Sequence, residues 1–209
     1  MTDNIQKIVN YIDRYFTNSE LGKEEFFCIQ ILKRKKDGHN YDSVIKEYNV
    51  SSGHYLQSKA DEIRKMCDCF NARAYMYVNP RNMVRITAEI IKRFSEHLIN
   101  GSHVWDIPVV FRSACGSMSA KQCTWIIDID NCSQETVEAI ADRFTNICGV
   151  EPIDILKTRS GYHIMTPRCD IRQFKSEIPS MIAEYNCKDI EFKRDAMTIL
   201  YENININEI

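Results

Sequence analysis

Apolar residues recur every three or four positions in some stretches of this chain and every second position in others. The two periods divide it into helices and strands. Near the start, Ile5, Ile8, Val9, Ile12 and Phe16 form a helical stripe. Phe26 to Leu32 reads as a strand ending in the basic turn KRKKDG. YDSVIKEYN and SGHYLQSKADEIRKMCDCF both show spacings of three and four and are expected to be helices. ARAYMYVNP is a strand stopped by Asn79-Pro80. RNMVRITAEIIKRFSEHLIN carries the stripe Met83, Ile86, Ile90, Ile91, Phe94 and Leu98 and stops at Asn100-Gly101. WDIPVVFRSACG is less regular.

The second half is clearer. CTWIIDID is a strand. Ser133 can cap the helix QETVEAIADRFTNIC, and Gly149 ends it. EPIDILKT and YHIMTP are short strands joined around Arg159-Ser160-Gly161. Asp170 opens another helix, with Gln173 placed for a capping box and Pro179 expected to kink or shorten it. KDIEFKRD and TILYEN follow as strands. Residues 123–201 thus read β-α-β-β-α-β, the split βαβ or ferredoxin-like order. In that order the first and third strands are central neighbours, so the WIIDID strand should lie beside the strand that starts at Tyr162-His163. The class expected is α+β, in a single domain over 1–209. Residues 1–110 form an α/β module, and 111–209 form an RRM-like subdomain with one open sheet face.

Composition narrows the setting. The chain has 209 residues, 44% hydrophobic and 27% charged, which suits a globular protein. No run approaches a membrane span, and the first residues lack a signal-peptide pattern, so a cytoplasmic protein is expected. A net charge of −2 makes any nucleic-acid contact local. Nine cysteines in a reducing compartment should be mostly free thiols. Cys67, Cys69, Cys115 and Cys123 could make a zinc site only with irregular spacing, since no CxxC pair occurs.

The strand WIIDID raises the chemistry. With a period of two, Trp125, Ile127 and Ile129 face one way, and Ile126, Asp128 and Asp130 the other. Two carboxylates so close repel unless a hard divalent cation or water intervenes. A strand running into an Asp-rich turn is the plainer reading. KTRSGYHIM supplies a second element: Ser160-Gly161 exposes backbone N–H groups and a hydroxyl, with Lys157 and Arg159 beside them, all suited to a phosphate. His163 follows on the adjacent strand. A third carboxylate should come from DIEFKRDAMTILY, where Asp189, Glu191, Lys193 and Asp195 share one face. Asp195 is preferred over Asp189. Three acids and a phosphate turn are what two-metal nucleotidyl transfer needs.

DxD on one strand, SGxH on a following strand and a later acidic residue resemble the archaeo-eukaryotic primase superfamily, including its primase-polymerases. Its motifs are an acidic DxD or DxE, an SxH and a hydrophobic-Asp. Here two residues separate Ser160 from His163, and Arg194 stands where a hydrophobic residue is expected. The match covers about residues 123–202. The resemblance implies that Asp128, Asp130 and Asp195 bind two Mg2+ or Mn2+, and that Ser160, Gly161, His163, Arg159 and Lys157 hold the triphosphate of an NTP or dNTP. It implies a single-stranded DNA template and a replicative helicase or other replication protein as partner, since no helicase module follows. Such compact cores suit a phage or other mobile element.

Lys33, Arg34 and Arg81 are candidate template-phosphate contacts, and Tyr75, Tyr77 and Tyr162 could stack on bases. Two other readings stay open: a non-catalytic single-strand-binding module with a primase-like fold, and a DxD metal-dependent nuclease or transferase.

Overall fold

The computed structural model describes residues 1–18, 24–101, 107–118 and 123–203. Among them, six helices and two antiparallel sheets make an α+β fold. In chain order the elements are β1 (Thr2–Asp3), α1 (Ile5–Asn18), β2 (Glu25–Lys33), β3 (Ser43–Val50), α2 (Gly53–Phe70), β4 (Arg73–Tyr77), β5 (Arg81–Asn82), α3 (Met83–Ile99) and α4 (Ile107–Ser117). They continue as β6 (Thr124–Asp130), α5 (Gln134–Cys148), β7 (Asp154–Lys157), β8 (Gly161–Pro167), α6 (Arg172–Tyr185), β9 (Asp189–Lys193) and β10 (Met197–Glu202).

The first sheet runs β1-β10-β4-β2-β3, with β5 paired to β2. Alternation along β2 splits its side chains between two cores. Phe27, Ile29 and Ile31 meet α1 and α2, while Phe26 and Cys28 meet Ile86 of α3 and Ala114 and Cys115 of α4. The second sheet runs β7-β8-β6-β9. Its first and third strands in sequence, β6 and β8, are central neighbours, as the β-α-β-β-α-β reading requires. Trp125, Ile127 and Ile129 pack under α5 and α6 with Val137, Phe144 and Phe174.

The opposite face of the second sheet is not open. Ile126, Leu156 and Met165 join the first core, together with Ile8 and Ile12 of α1. Several polar hinges fix this union. Asn4 Nδ2 donates to Lys157 O at 2.8 Å and Lys7 Nζ to Ile155 O at 2.6 Å, which covers the outer edge of β7. Tyr11 Oη meets Thr124 Oγ1 at 2.9 Å. Asn79, fully buried, donates to Thr124 O and accepts from Thr124 N, both at 2.9 Å. Among the described residues, the far end of the acidic face, beyond Ile126, borders a cleft.

Several expectations are corrected. YDSVIKEYN is strand β3, not a helix, because it pairs along β2 and alternates Tyr48 and Val50 inward against Asn49 outward. Most of WDIPVVFRSACG is helix α4, with Trp105 and Asp106 outside the described residues. On α3 only Ile86 of the stripe is buried; Ile91 and Leu98 are exposed. The helix after Asp170 has no capping box: Asp170 Oδ1 accepts from Arg172 N at 3.1 Å, and the residue at the N-cap position, Ile171, makes no side-chain cap bond. That helix runs through Pro179 to Tyr185 rather than stopping. The division at residue 110 fails twice, since it cuts α4 and since β10 belongs to the first sheet.

Candidate active site

The register of the second sheet assembles the site. Asp128 lies directly opposite His163 on β8 and Glu191 on β9, and Asp130 lies opposite Gly161 and Asp189. Residues opposite one another share a sheet face. Glycine is required at 161, because a Cβ there would come within 1.9 Å of Ile129 O. The absent side chain lets the Arg159-Ser160-Gly161 turn close on β6. Asn131 N then donates to Ser160 O at 2.6 Å, and Ser160 Oγ to Asp130 Oδ1 at 2.8 Å.

Both oxygens of Asp128 are engaged. His163 Nε2 lies 3.2 Å from its Oδ1, and Lys193 Nζ donates to its Oδ2 at 2.7 Å. The same ammonium is 3.0 Å from Glu191 Oε2. Burial pushes the Asp128 carboxyl up, but the His163 hydrogen bond and charge and Lys193 outweigh it, and its pKa is lowered to about 2. Burial pulls the Lys193 ammonium down, and Asp128 and Glu191 more than offset this, so it stands above the ordinary lysine value. Thr198 Oγ1, on β10, meets His163 Nδ1 at 2.9 Å and fixes the ring.

Asp128 and Asp130 line a cleft of about 160 Å³ with Ser160 and His163; Lys36, Arg73, Tyr75 and Arg159 line it too and make up its basic wall. The basic wall is held by Asp37, whose side chain is fully buried. Arg73 Nε donates to Asp37 Oδ2 at 2.7 Å and its Nη2 bonds Oδ1; Arg159 Nη1 donates to the same Oδ1 at 2.7 Å. Arg73 also pairs with Glu202 at 3.3 Å. Burial, then Arg73 and Arg34, lowers the Lys36 ammonium. One wall thus offers oxygen donors to a hard cation, and the other offers guanidinium and ammonium groups to phosphate.

Other expected site residues fall elsewhere. Asp195 does not reach the cleft. It is held by Arg81 Nη1 at 3.1 Å and Asn79 Nδ2 at 3.2 Å, and Asn79 binds Thr124 at the opposite end of β6. Four residues of strand, about 13 Å, separate Thr124 from Asp128. Asp189 shares the acidic face and is exposed. Lys157 pairs with Tyr162, on the face opposite His163; both line an adjoining 410 Å³ hollow behind the turn with Gly161. Arg81 is fully buried over the Tyr77 ring and cannot meet a template phosphate. Lys33 sits over Phe70, while Arg34 lies over Tyr75 at the cleft. Cys67 and Cys115 are buried in different cores and Cys69 is exposed, so these cysteines do not converge.

Lys36 belongs to the basic turn KRKKD, a candidate for phosphate contact in the sequence; Arg73, Asp37 and Thr198 carry no sequence signal as site residues, since strands and turns distant in the chain bring them in. Among the described residues, no three or more His, Cys, Asp and Glu side chains are gathered to hold a metal ion. The carboxylates that reach the cleft are Asp128 and Asp130, held by His163 and Lys193 and by Ser160; the Asp195 carboxylate that a pair of cations was expected to use does not reach it. Comparison of the chain with family models, curated proteins and solved structures finds no match.

Proposed function

We propose that this protein is a template-dependent nucleotidyltransferase of the primase-polymerase type, joining an NTP or dNTP to a 3′-hydroxyl on single-stranded DNA. The observation that carries the reading is the in-register meeting of Asp128 and His163, beside Asp130 and Ser160, across a cleft from Lys36, Arg73 and Arg159. The α+β arrangement with β6 and β8 as central neighbours is compatible with the primase-like core that the sequence motifs resemble.

In the reaction the hydroxyl oxygen forms a bond to the α-phosphorus, the α–β phosphoanhydride breaks, pyrophosphate leaves and the hydroxyl proton passes to solvent. Asp128 and Asp130 would hold Mg2+ or Mn2+, which lowers the pKa of the attacking hydroxyl and offsets charge on the phosphates. Arg159 and Lys36 face the triphosphate and stabilise the leaving group, with buried Arg73 fixed behind them on Asp37 and Glu202. His163, oriented by Thr198, donates to a phosphate oxygen. Ser160, bonded to Asp130 in the free protein, positions that carboxylate.

The test is primer synthesis and extension on single-stranded DNA with labelled NTPs or dNTPs and Mn2+. Asp128→Ala should lower product by about 10²–10³-fold, the scale of losing a preorganised charge-stabilising group. Product that persists in the Asp128→Ala, Asp130→Ala double variant would refute the assignment. A second reading, a non-catalytic single-strand-binding module, is favoured by the Lys193–Asp128 pair, which neutralises the acid without a metal. Binding that is indifferent to Mn2+ and to both aspartates, with no product in any lane, would select it.

A further inference from the structure

We infer that the tip of the hairpin joining β2 to β3 is a contact surface for single-stranded nucleic acid that leads into the cleft. The inference rests on the reading that the cleft works on a nucleic-acid strand. The tip carries Lys33, Arg34, Lys35 and Lys36 in succession, on a chain whose net charge is −2. It is anchored from inside. Lys35–Asp37 make one turn of 3-10 helix, which Gly38 ends at a φ of 90°. The Asp37 side chain is fully buried, Lys35 N donates to Asp42 Oδ1 at 2.6 Å, and His39 Nε2 meets Asn71 O at 2.8 Å. These ties fix the backbone, while the side chains of Lys35 and Lys36 are exposed.

The carboxylates of the tip and of the elements beside it are engaged, and the lysines are not. Asp37 closes on Arg73 and Arg159, Glu202 on Arg73, and Asp42 on Arg34 at 3.2 Å; Asp68 accepts from Tyr201 Oη at 3.0 Å. Asp128 and Asp130, which share the cleft with Lys36, are held by Lys193 and His163 and by Ser160. Among the described residues, Lys33, Lys35 and Lys36 form no ion pair. Rings lie among these cations: Lys33 Nζ is 5.2 Å from the centre of the Phe70 ring, and the Arg34 guanidinium 5.8 Å from that of Tyr75. Tyr41, on the same tip, is 70% exposed. Unpaired ammonium groups beside an exposed tyrosine offer what a single strand takes: charge for its phosphates and a flat face for a base. Lys36 and Tyr75 line the cleft, so the track runs from Phe70 and Lys33 past Tyr75 to the acids.

The experiment is the fluorescence anisotropy of a short labelled oligodeoxythymidine, without nucleotide or divalent ion, titrated with the full chain over a range of salt. Wild type, the double variant Lys33→Gln, Lys35→Gln, Tyr41→Ala and, as a control on α3, Lys92→Gln are compared, with a thermal melt of each. The double variant should bind about tenfold more weakly at low salt, and the slope of log affinity against log salt should shrink by about 1.4, the share of two phosphate contacts on a single strand. Tyr41→Ala should bind about tenfold more weakly with the slope unchanged, the scale of one lost stacked base. Lys92→Gln should match wild type. No binding by wild type at low salt, or tip variants that bind as Lys92→Gln does, would overturn the inference. So would a loss confined to the lysine variant, since a surface for any polyanion, an acidic protein included, needs no tyrosine. Primer extension by the same proteins separates the two claims. Tip-dependent binding with no product in any lane would remove the polymerase reading and leave this surface standing; product alongside tip-independent binding would do the reverse.

Discussion

Asp37→Ala should destabilise the protein more than any change to an exposed acid, although Asp37 lies in a short polar turn. Its side chain is fully buried, and that of Arg73 is 4% exposed. Two bonds from Arg73 and one from Arg159 end on its oxygens. Removing one partner of a buried ion pair costs about 3–5 kcal/mol, because the other charge stays desolvated. Glu202 remains 3.3 Å from Arg73, which places the loss at the low end, about 3 kcal/mol. With a urea slope of about 2 kcal/mol per molar, the midpoint should fall by about 1.5 M. Urea unfolding followed by circular dichroism measures this directly. Arg159→Ala is the internal control: Arg159 is about one-third exposed, and its loss should cost under about 1 kcal/mol. A shift below about 0.3 M for Asp37→Ala would refute the account of the basic wall as a structure held from inside.

Further outcomes follow from the same geometry. Gly161→Ala, with a Cβ 1.9 Å from Ile129 O, should cost about 3 kcal/mol or more in a thermal or urea melt and open the turn. Asp195→Ala should destabilise by about 3 kcal/mol by stranding buried Arg81 while keeping primer extension by the folded fraction; loss of extension without loss of stability would restore Asp195 to the site. Thr198→Val should leave the melt within about 1 kcal/mol and reduce kcat about tenfold by freeing the His163 ring, with KM for the nucleotide little changed. The lowered Asp128 carboxyl contributes stability that is complete above its ordinary pKa near 4 and lost as pH falls through about 2. Asp128→Asn should therefore flatten the acid limb of the stability curve between those values, by about 1–2 kcal/mol after solvent screening.

What the sequence revealed of the site follows from where each partner lies in the chain. Asp128 and His163 could be paired on paper because both sit on alternating strands of one contiguous β-α-β-β-α-β unit, whose order fixes which strands touch. Ser133 and Gly149 marked their helix because caps are local. The position of Asp195 depends on Arg81 and Asn79, more than a hundred residues earlier, and no local pattern reports a distant cation. The same distance hid Asp37, Arg73 and Thr198 from view. β3 was misread for a different reason: Val44, Ile45 and Tyr48 fit a helical stripe as well as a strand, and only pairing along β2 decides between them. The covered acidic face also lies beyond local reading, since Ile126, Leu156 and Met165 of the second sheet are buried in the first core.

β10 is flanked by β1 and β4, yet it is made after both and after the whole second sheet. During vectorial synthesis on a ribosome, the segment from β6 to β9 can close its own sheet and core as one continuous piece. The first sheet must wait, with β4 presenting an unpaired edge until the final strand emerges. Thr198 travels on that strand, so the imidazole of the site acquires its orienting partner only after β10 has been made. The orientation of His163 thereby depends on β10, and a chain cut before that strand would carry the aspartates without the ordered histidine. The open β4 edge in such a chain is also where self-association would begin.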